Sequence, residues 1–212
     1  MKSLREAVQK ILLEEFACAS ITNPNIGGGI AELERLGLHI VSAYSPEEYD
    51  SGVANNISLI VYNDLGDQQA YWLGGFQVTG EVCHNAFQCT NTNAQNLRGT
   101  GIGALLYDVA CELTGKWGVS SDRNEVSNSA WRMWQYMWKN DTTYEKIGVY
   151  DWDGEQTPDD LMDDCEGTAW ENYADEWQNP SRHPLNMIYV KKDRSRPTIK
   201  CLLEKGLIDF ED

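Results

Sequence analysis

The hexapeptide Arg98–Gly103, with the sequence RGTGIG, contains the residue types that most directly suggest chemistry. It lies between a predicted strand and a predicted helix. Its three glycines allow successive backbone N–H groups to point into one concavity. The start of the helix adds N–H donors and a partial positive charge, and Arg98 adds a full one. This pattern favours an anion site that fits a pyrophosphate, but an ordinary loop before a helix is equally compatible with it.

The spacing of these glycines excludes two common nucleotide-binding motifs. No Gly-Lys-Ser or Gly-Lys-Thr follows the loop, so it is not the phosphate loop of an NTPase. The pattern Gly-x-Gly-x-x-Gly with an acidic residue about 20 positions later is also missing, so a dinucleotide-binding fingerprint is not indicated.

Arg98-x-x-Gly101-x-Gly103 resembles the acyl-CoA signature of the GNAT acetyltransferase superfamily. The stretch Ser127–Trp134 resembles the Asn-x-x-Ala-x-x-x-Tyr pattern of a later GNAT helix, with Ala130 matching but Ser in place of Asn and Trp in place of Tyr. The blocks GIGALLYDVACELT and SSDRNEVSNSAWRMWQYMW are also similar to those of GNAT-like proteins encoded by bacteriophages. The resemblance extends over roughly residues 38–192.

The resemblance implies acetyl-CoA as the cofactor and an amine as the acyl acceptor. It places the cofactor's polar part on Arg98, Gly99, Thr100, Gly101, Ile102, Gly103, Ser127 and Asn128. It places the oxyanion donor and the contacts to the pantetheine arm on the backbone of Phe87, Gln88 and Cys89, at the end of a strand predicted over 81–90.

Acyl transfer to an amine also requires a base for the amine and an acid for the leaving thiolate. Glu81 and His84, on the predicted fourth strand, are the candidate bases. Trp134 cannot serve as the acid, so Tyr136 is the candidate, although it lies on a different helix face. Each of these candidates can instead have a purely structural role. The helical spacing of Trp131, Trp134 and Trp138 indicates that these three side chains pack in the core. Cys89 has no identifiable histidine partner and is interpreted as a buried thiol.

The formal charge of −16 is concentrated in one segment. Residues 147–181 contain eleven acidic residues and no Lys or Arg, which leaves only −5 for the rest of the chain. A general nucleic-acid-binding surface and adsorption to an anionic membrane are therefore disfavoured. The acidic segment can select a cationic acceptor or can simply be a solvated surface loop.

The sequence does not indicate a targeting signal or a metal site. An amphipathic helix is predicted over 1–16, where charged residues interrupt any apolar run, so a signal peptide is not indicated. No stretch approaches ~18 apolar residues, so we expect a cytoplasmic protein without a membrane span. If the phage resemblance holds, the compartment is an infected bacterium or the virion. The six cysteines are expected to be free thiols, because no secretory signal is present. The three histidines are scattered and no Cys-x-x-Cys occurs, so no metal site is predicted.

The hydrophobic periodicity predicts the elements that must position these residues. Helices are expected over 31–37, 104–115, 127–140 and within 197–208, with a loop over 21–29. Strands are expected over 38–44, 56–63, 70–79, 81–90, 116–121, 143–152 and 183–192. We expect a single domain over 1–212, with an N-terminal helical segment (1–37), a core (38–152 and 183–192), an acidic insertion (153–182) and a C-terminal helix and tail (193–212).

This order predicts an α/β fold. Its GNAT-like form would be a mixed, mostly antiparallel central sheet with a parallel βαβ unit at the acyl-CoA loop and helices on both faces. Three functions are compatible with it. The first is an acetyl-CoA-dependent N-acetyltransferase acting on a lysine or a polyamine-like amine, including one on a host protein. The others are a non-catalytic GNAT-like phage structural or interaction protein and an acidic decoy for a host defence or transcription protein. A homodimer is compatible with each.

Overall fold

The computed structural model describes residues 18–78, 84–94, 99–122, 124–149, 171–173 and 183–211. The strands in this part are β1 (Leu38–Ser42), β2 (Asn56–Asn63), β3 (Gln68–Gln77), β4 (Phe87–Ala94), β5 (Val119–Ser120), β6 (Tyr144–Gly148), β7 (Met187–Lys191) and β8 (Ile208–Phe210). The α-helices are α1 (Pro24–Leu36), α2 (Pro46–Ser51), α3 (Ile102–Thr114), α4 (Asn128–Lys139) and α5 (Pro197–Glu204), and a 3-10 helix (Pro184–Asn186) precedes β7.

The described strands form one mixed sheet in the order β6-β7-β5-β4-β3-β2-β1-β8. Five of the seven strand pairings in it are antiparallel, and β4–β5 and β1–β8 are parallel. The predicted α/β class, the mostly antiparallel sheet and the parallel β4–α3–β5 unit are thereby confirmed. The specifically GNAT-like arrangement and the placement of helices on both faces stay predictions.

Strand β4 has an irregular position between its two neighbours. It pairs with β5 only at Phe87–Val119 and Gln88–Ser120. On its other side, Gly74 and Gly75 of β3 face Asn91 and Cys89, so Thr90 is an extra, bulged residue. A bulge bends a strand and changes the direction of its side chains. In the described part, β4 beyond Gln88 is therefore paired on the β3 side alone, and a cleft separates it from the segment that follows β5.

Helix α1 begins seven residues earlier than predicted. The prediction of a loop over 21–29 is wrong, because Asn23 caps the helix by accepting a hydrogen bond from the Asn25 N–H, and Pro24 occupies the first turn. The helix ends at Gly37, as predicted, in the left-handed conformation that this cap requires (φ 62°). Glycine is needed inside α1 at Gly29, where a Cβ would lie 2.9 Å from the Gly101 carbonyl oxygen.

Strand β4 is displaced relative to the predicted strand over 81–90. His84 and Asn85 form a turn with positive φ (52° and 55°), and the strand starts at Phe87 and continues into the stretch predicted as a polar loop. Helix α2 is an element that we did not predict, although Ser45 and Glu48 form a complete capping box at its start. Strand β8 is also additional. The helix predicted over 1–16 lies outside the described residues.

Helix α3 is the central helix of the core. Nearly all of its residues are buried, including the polar Asp108 and Glu112, and it packs against α1, α2 and α5. The buried apolar side chains of the sheet surround it, among them Phe87 and Leu73. The start of α3 is therefore held in place from several sides, which matters because the glycine loop opens directly into it.

A disulfide joins Cys18 to Cys201 of α5, with 5.0 Å between the Cα atoms. The prediction of free thiols is wrong for this pair, because the segment before α1 returns to α5 and brings the two residues within bonding distance. It is confirmed for Cys89 and Cys111, which are free and buried. Cys83 and Cys165 lie outside the described residues. Because disulfides persist mainly in oxidising compartments, this bond gives no support to the expected cytoplasmic location, which stays a prediction.

Candidate functional site

A cavity adjoins the glycine loop between the starts of α3 and α4. It has a volume of about 570 Å³, and we call it the helix cavity. The start of α3 lines one wall, from Gly99 to Tyr107, and α4 lines another, from Ser127 to Tyr136. Helix starts carry N–H donors without intrahelical partners and a partial positive charge. Two of them border this cavity, which makes it suitable for an anionic ligand.

The glycine loop has the backbone geometry that its sequence suggests. Gly99 and Gly101 both have φ of 84°, in the left-handed region, and Gly101 is the cap residue of α3 without any side-chain cap. Gly99, Gly101 and Gly103 line the helix cavity. Ile102 does not contribute its side chain, which is fully buried in the core. Its backbone N–H donates to Thr100 Oγ1 at 3.4 Å.

The start of α4 confirms the predicted cap. Ser127 accepts a hydrogen bond from the Ala130 N–H at 3.2 Å, and Asn128 is the first helical residue. Both residues line the helix cavity. The structure thus brings Ser127 and Asn128 together with the glycines of the loop, as the resemblance implies. Arg98 lies outside the described residues.

A second hollow, the strand cleft, lies where β4 and β5 separate. It has a volume of about 260 Å³ and is lined by Cys89 and Thr90 of β4, by Asp122 after β5 and by Trp134. Tyr107, Ser127 and Ala130 line both the strand cleft and the helix cavity. The two hollows are therefore neighbours that share a wall.

Phe87, Gln88 and Cys89 begin β4 instead of ending a strand over 81–90, so their predicted position in the strand is wrong. Phe87 and Gln88 are engaged with β5, and Cys89 is the first residue past that pairing. Burial, with a contribution from Asp122, raises the pKa of the Cys89 thiol to about 12. A protonated thiol is a poor nucleophile, so the geometry favours the interpretation of Cys89 as a buried structural thiol.

Asp122 positions the approach to α4. Its Oδ1 accepts hydrogen bonds from the backbone N–H groups of Asn124 at 2.8 Å and Glu125 at 3.2 Å. The same carboxylate lines the strand cleft, where Glu125 is a second acidic residue. The turn that leads into α4 thus places two acidic residues in the strand cleft beside Cys89 and Thr90 of β4.

Of the two candidate bases, His84 is not brought to the helix cavity or to the strand cleft. His84 lies in the turn before β4 and not on the strand where we expected it, because its backbone has positive φ. Its Nε2 is buried and has no hydrogen-bond partner within the described part of the chain. It lines neither hollow. Glu81 lies outside the described residues, so its candidacy stays a prediction.

Tyr136 and Trp134 occupy different hollows. Tyr136 lines the helix cavity, where its hydroxyl accepts a hydrogen bond from Asn23 Nδ2 at 2.7 Å, and burial raises its pKa. Trp134 is 1% exposed, packs edge-on against Tyr107 at 5.2 Å and lines the strand cleft. Of the two, Trp134 is thus the residue beside the edge of β4, and it has no acidic proton to give.

Several cavity residues have no counterpart among the predicted ones. Asn25 and Tyr71 line the helix cavity from α1 and β3, and Arg132 lines it from α4. Asn25 could have been placed there only if α1 had been recognised, and the signal for that was Asn23-Pro24, a cap followed by a first-turn proline. No local signal identifies Tyr71, which reaches the cavity because β3 lies beside β4.

A buried ionic network lies along α3 at Asp108 and Glu112. Lys191 Nζ donates to Asp108 at 2.7 Å and to Glu112 at 2.5 Å, and Tyr144 donates to Asp108 at 3.1 Å. The Glu112 carboxylate also accepts the N–H groups of Thr198 and Ile199 at the start of α5. Burial raises the pKa of Glu112. The charged groups of this network are thus hydrogen-bonded to one another and to the backbone of α5. We therefore assign the network a structural role.

Tyr173 of the acidic insertion and His183, the residue that follows the predicted insertion by one position, both contact α4. The rings of Tyr173 and His183 both stack on Trp131, with centroids 4.6 Å and 5.2 Å away. The Tyr173 hydroxyl donates to the Val126 carbonyl oxygen at 2.7 Å, and Val126 lines the strand cleft. The predicted insertion over 153–182 therefore has an anchor beside the cleft, although residues 150–170 and 174–182 lie outside the described part.

No helix among the described residues is long and apolar enough to span a bilayer. The same residues contain no group of three His, Cys, Asp or Glu side chains placed to hold a metal ion. Comparison of the chain with protein-family models, with curated proteins and with solved structures gives no match.

Proposed function

We propose that the protein is an acetyl-CoA-dependent N-acetyltransferase acting on an amine, such as a lysine side chain or a polyamine-like molecule. The observation that carries this proposal is the wall of Tyr107, Ser127 and Ala130. It lines both a cavity suited to an anion at a helix start and the cleft beside β4, whose edge beyond Gln88 has no partner strand among the described residues on that side. In this proposal an extended ligand passes from the one to the other. An acyl-CoA has the matching shape, with a pyrophosphate at one position and an extended amide-containing arm leading away from it.

The binding roles follow from the backbone. The N–H groups at the start of α3, around Gly101 and Gly103, would receive the pyrophosphate. The edge of β4 beyond Gln88 would receive the amides of the pantetheine arm as an added strand does. The backbone of β4 at Cys89 would then donate to the acyl oxygen as negative charge develops on it. When bound, acetyl-CoA supplies the activated acyl thioester.

The amine side of the reaction is supported by the carboxylates of Asp122 and Glu125 in the strand cleft. They attract a cationic amine, and the exposed Asn124–Glu125 turn leaves the cleft accessible to it. Tyr136 and Glu81 are the proposed candidates for proton transfer, and His84 is a candidate only through a group outside the two hollows, since it lines neither. Of these, Tyr136 would act only on a group that reaches the helix cavity.

A second candidate function is acyl-CoA binding without turnover. The specific observation in its favour is Trp134, which lies in the strand cleft where a tyrosine would be the acid. The engagement of the Tyr136 hydroxyl with Asn23 points in the same direction. Both proposals share the cofactor site and differ only in chemistry.

The test is calorimetric titration with acetyl-CoA and CoA, using substitutions at Gly103. A Cβ at this residue would meet only Tyr71 at 3.7 Å, so small side chains fit there. Gly103→Asp places a negative charge in the cavity and should weaken binding by at least about tenfold, whereas the isosteric Gly103→Asn should weaken it far less. Absence of binding by the unaltered protein would contradict the proposal.

Turnover is then measured by release of the CoA thiol with a panel of primary amines, lysine peptides and host lysate. Release that depends on an added amine supports the acetyltransferase. Tight binding without release across the whole panel supports the non-catalytic alternative.

A further inference from the structure

Arg132 is distinctive among the residues that line the helix cavity. It is the only charged side chain among the described lining residues, and none of them is Asp or Glu. The whole chain carries 33 acidic residues and a formal charge of −16. A described lining that contains an arginine and no carboxylate therefore differs from the acidic character of the chain, and it favours an anionic ligand.

The other arginines that the structure describes are bound to protein acceptors. Arg35 pairs with Glu32, Arg196 pairs with Asp50, and Arg194 donates to the carbonyl of Gly115. Arg132 has neither an ion pair nor a hydrogen bond in the described part of the chain, and it is exposed. Its guanidinium thus keeps its donors available to a ligand.

Arg132 lies on the α4 wall of the helix cavity, whereas the glycines of the loop line its α3 wall. Asn128, Arg132 and Tyr136 follow one another at intervals of four residues along the cavity face of α4. Each interval corresponds to about 6 Å along the helix axis. A ligand with one anionic group at Gly101 and Gly103, on the α3 wall, can therefore present a second group to Arg132 on the α4 wall of the same cavity.

We propose that Arg132 recognises a phosphomonoester at the outer end of the ligand, which in an acyl-CoA is the 3′-phosphate of the ribose. This inference rests on the proposed function, because it assigns a group of the same cofactor to one residue. A phosphomonoester carries close to two negative charges near pH 7, and the planar guanidinium binds such a group with two parallel hydrogen bonds. Arg132 accordingly determines the preference for CoA over 3′-dephospho-CoA.

The test compares calorimetric titrations of CoA and 3′-dephospho-CoA with the unaltered protein, Arg132→Gln and Arg132→Lys. The unaltered protein should bind CoA between about tenfold and a hundredfold more tightly than 3′-dephospho-CoA. Arg132→Gln should abolish this ratio by weakening CoA alone, and Arg132→Lys should restore part of it. Arg35→Gln, which removes the same charge outside the cavity, should leave the ratio unchanged.

The outcomes separate this inference from the proposed function. Equal affinities of the unaltered protein for both ligands would overturn the role of Arg132 and leave the cofactor site standing. Equal weakening of both ligands by Arg132→Gln would likewise overturn it, because the residue would then act through general electrostatics. Absence of binding by either ligand would overturn the proposed function, and this inference with it. Circular dichroism of each variant checks that the fold is retained.

Discussion

The side-chain amide of Asn23 donates a hydrogen bond to the hydroxyl of Tyr136, 113 residues further along the chain, at 2.7 Å. The carbonyl oxygen of the same amide accepts the N–H of Asn25 and caps α1. One side chain therefore fixes both the start of α1 and the orientation of a tyrosine in the helix cavity.

This double role predicts unequal effects of the two simplest substitutions. Tyr136→Phe removes one hydrogen bond and should lower the free energy of unfolding by about 0.5–1.5 kcal/mol. Asn23→Ala also removes the cap and should cost about 1–3 kcal/mol in total. Urea unfolding measures both. Asn23→Asp keeps a capping oxygen and accepts from the tyrosine hydroxyl, so it should remain close to the unaltered protein. Strict additivity in the Asn23→Ala, Tyr136→Phe double variant would contradict a direct coupling.

Two neighbouring glycines of α1 provide a matched pair. A Cβ at Gly29 would crowd the Gly101 carbonyl and the Leu105 side chain, whereas a Cβ at Gly28 meets nothing within 4 Å. Gly29→Ala should therefore destabilise the protein by about 1–3 kcal/mol, because α1 must move away from α3. Gly28→Ala should be neutral or stabilise by up to about 1 kcal/mol, since alanine favours a helix. The melting temperatures of the two variants, from thermal unfolding, are the measurement. Equal melting temperatures would refute the close approach of α1 to the loop.

The network around Lys191 predicts a large loss of stability when its only described cation is removed. Lys191→Met leaves the buried carboxylates of Asp108 and Glu112 without their partner, which should cost about 3–5 kcal/mol. Lys205→Met removes an exposed pair with Glu34 and should cost less than about 1 kcal/mol. Urea unfolding is the measurement. The structural role assigned to the network would be untenable if both variants lost the same small amount.

His183 predicts a dependence of stability on pH. Burial lowers the pKa of its ring from 6.5 to about 4, against a smaller opposing effect of a hydrogen bond with the Tyr173 backbone. Its Nδ1 accepts the N–H of Leu185 at 3.2 Å, a bond that protonation of that nitrogen would abolish. Between pH 4 and 6.5 the unfolded chain binds more protons, so this contribution is complete above pH 6.5 and is lost as the pH falls towards 4.

The measurement is the difference in unfolding free energy between the unaltered protein and His183→Asn as a function of pH. Asparagine keeps a capping acceptor but does not titrate in this range. The difference should shrink as the pH is lowered from 6.5 to 4, and carboxylates that titrate in both proteins cancel. A difference that stays constant over this range would show that the ring is not held neutral.

The sequence is sufficient where local signals and the tertiary structure agree. The alternation in NISLIVYN predicts β2 to the residue, and the serine before an amphipathic run predicts the cap of α4. The first seven residues of α1 were predicted as loop because three consecutive glycines count against a helix, although Gly29 permits close packing with α3. The start of β4 was misplaced because no pattern reveals the positive φ of His84 and Asn85.

The candidate site likewise has a part that local sequence signals predict and a part that only tertiary packing determines. The glycine loop and Ser127 could be predicted, because a helix start is specified by residues within a few positions of one another. The wall shared by the helix cavity and the strand cleft could not, because it depends on how α3 and α4 pack. Lys191 and its two carboxylates are separated by 79 residues or more, so nothing local marks them as partners.

The disulfide between Cys18 and Cys201 has a consequence for the topology of the chain. It closes a covalent ring between residues separated by 183 positions. All described residues that line the two hollows belong to this ring. A single proteolytic cut anywhere within the ring would leave the two fragments covalently attached until a reductant separates them. The intact bond thus allows the protein to be nicked without losing any part of its sheet to dissociation.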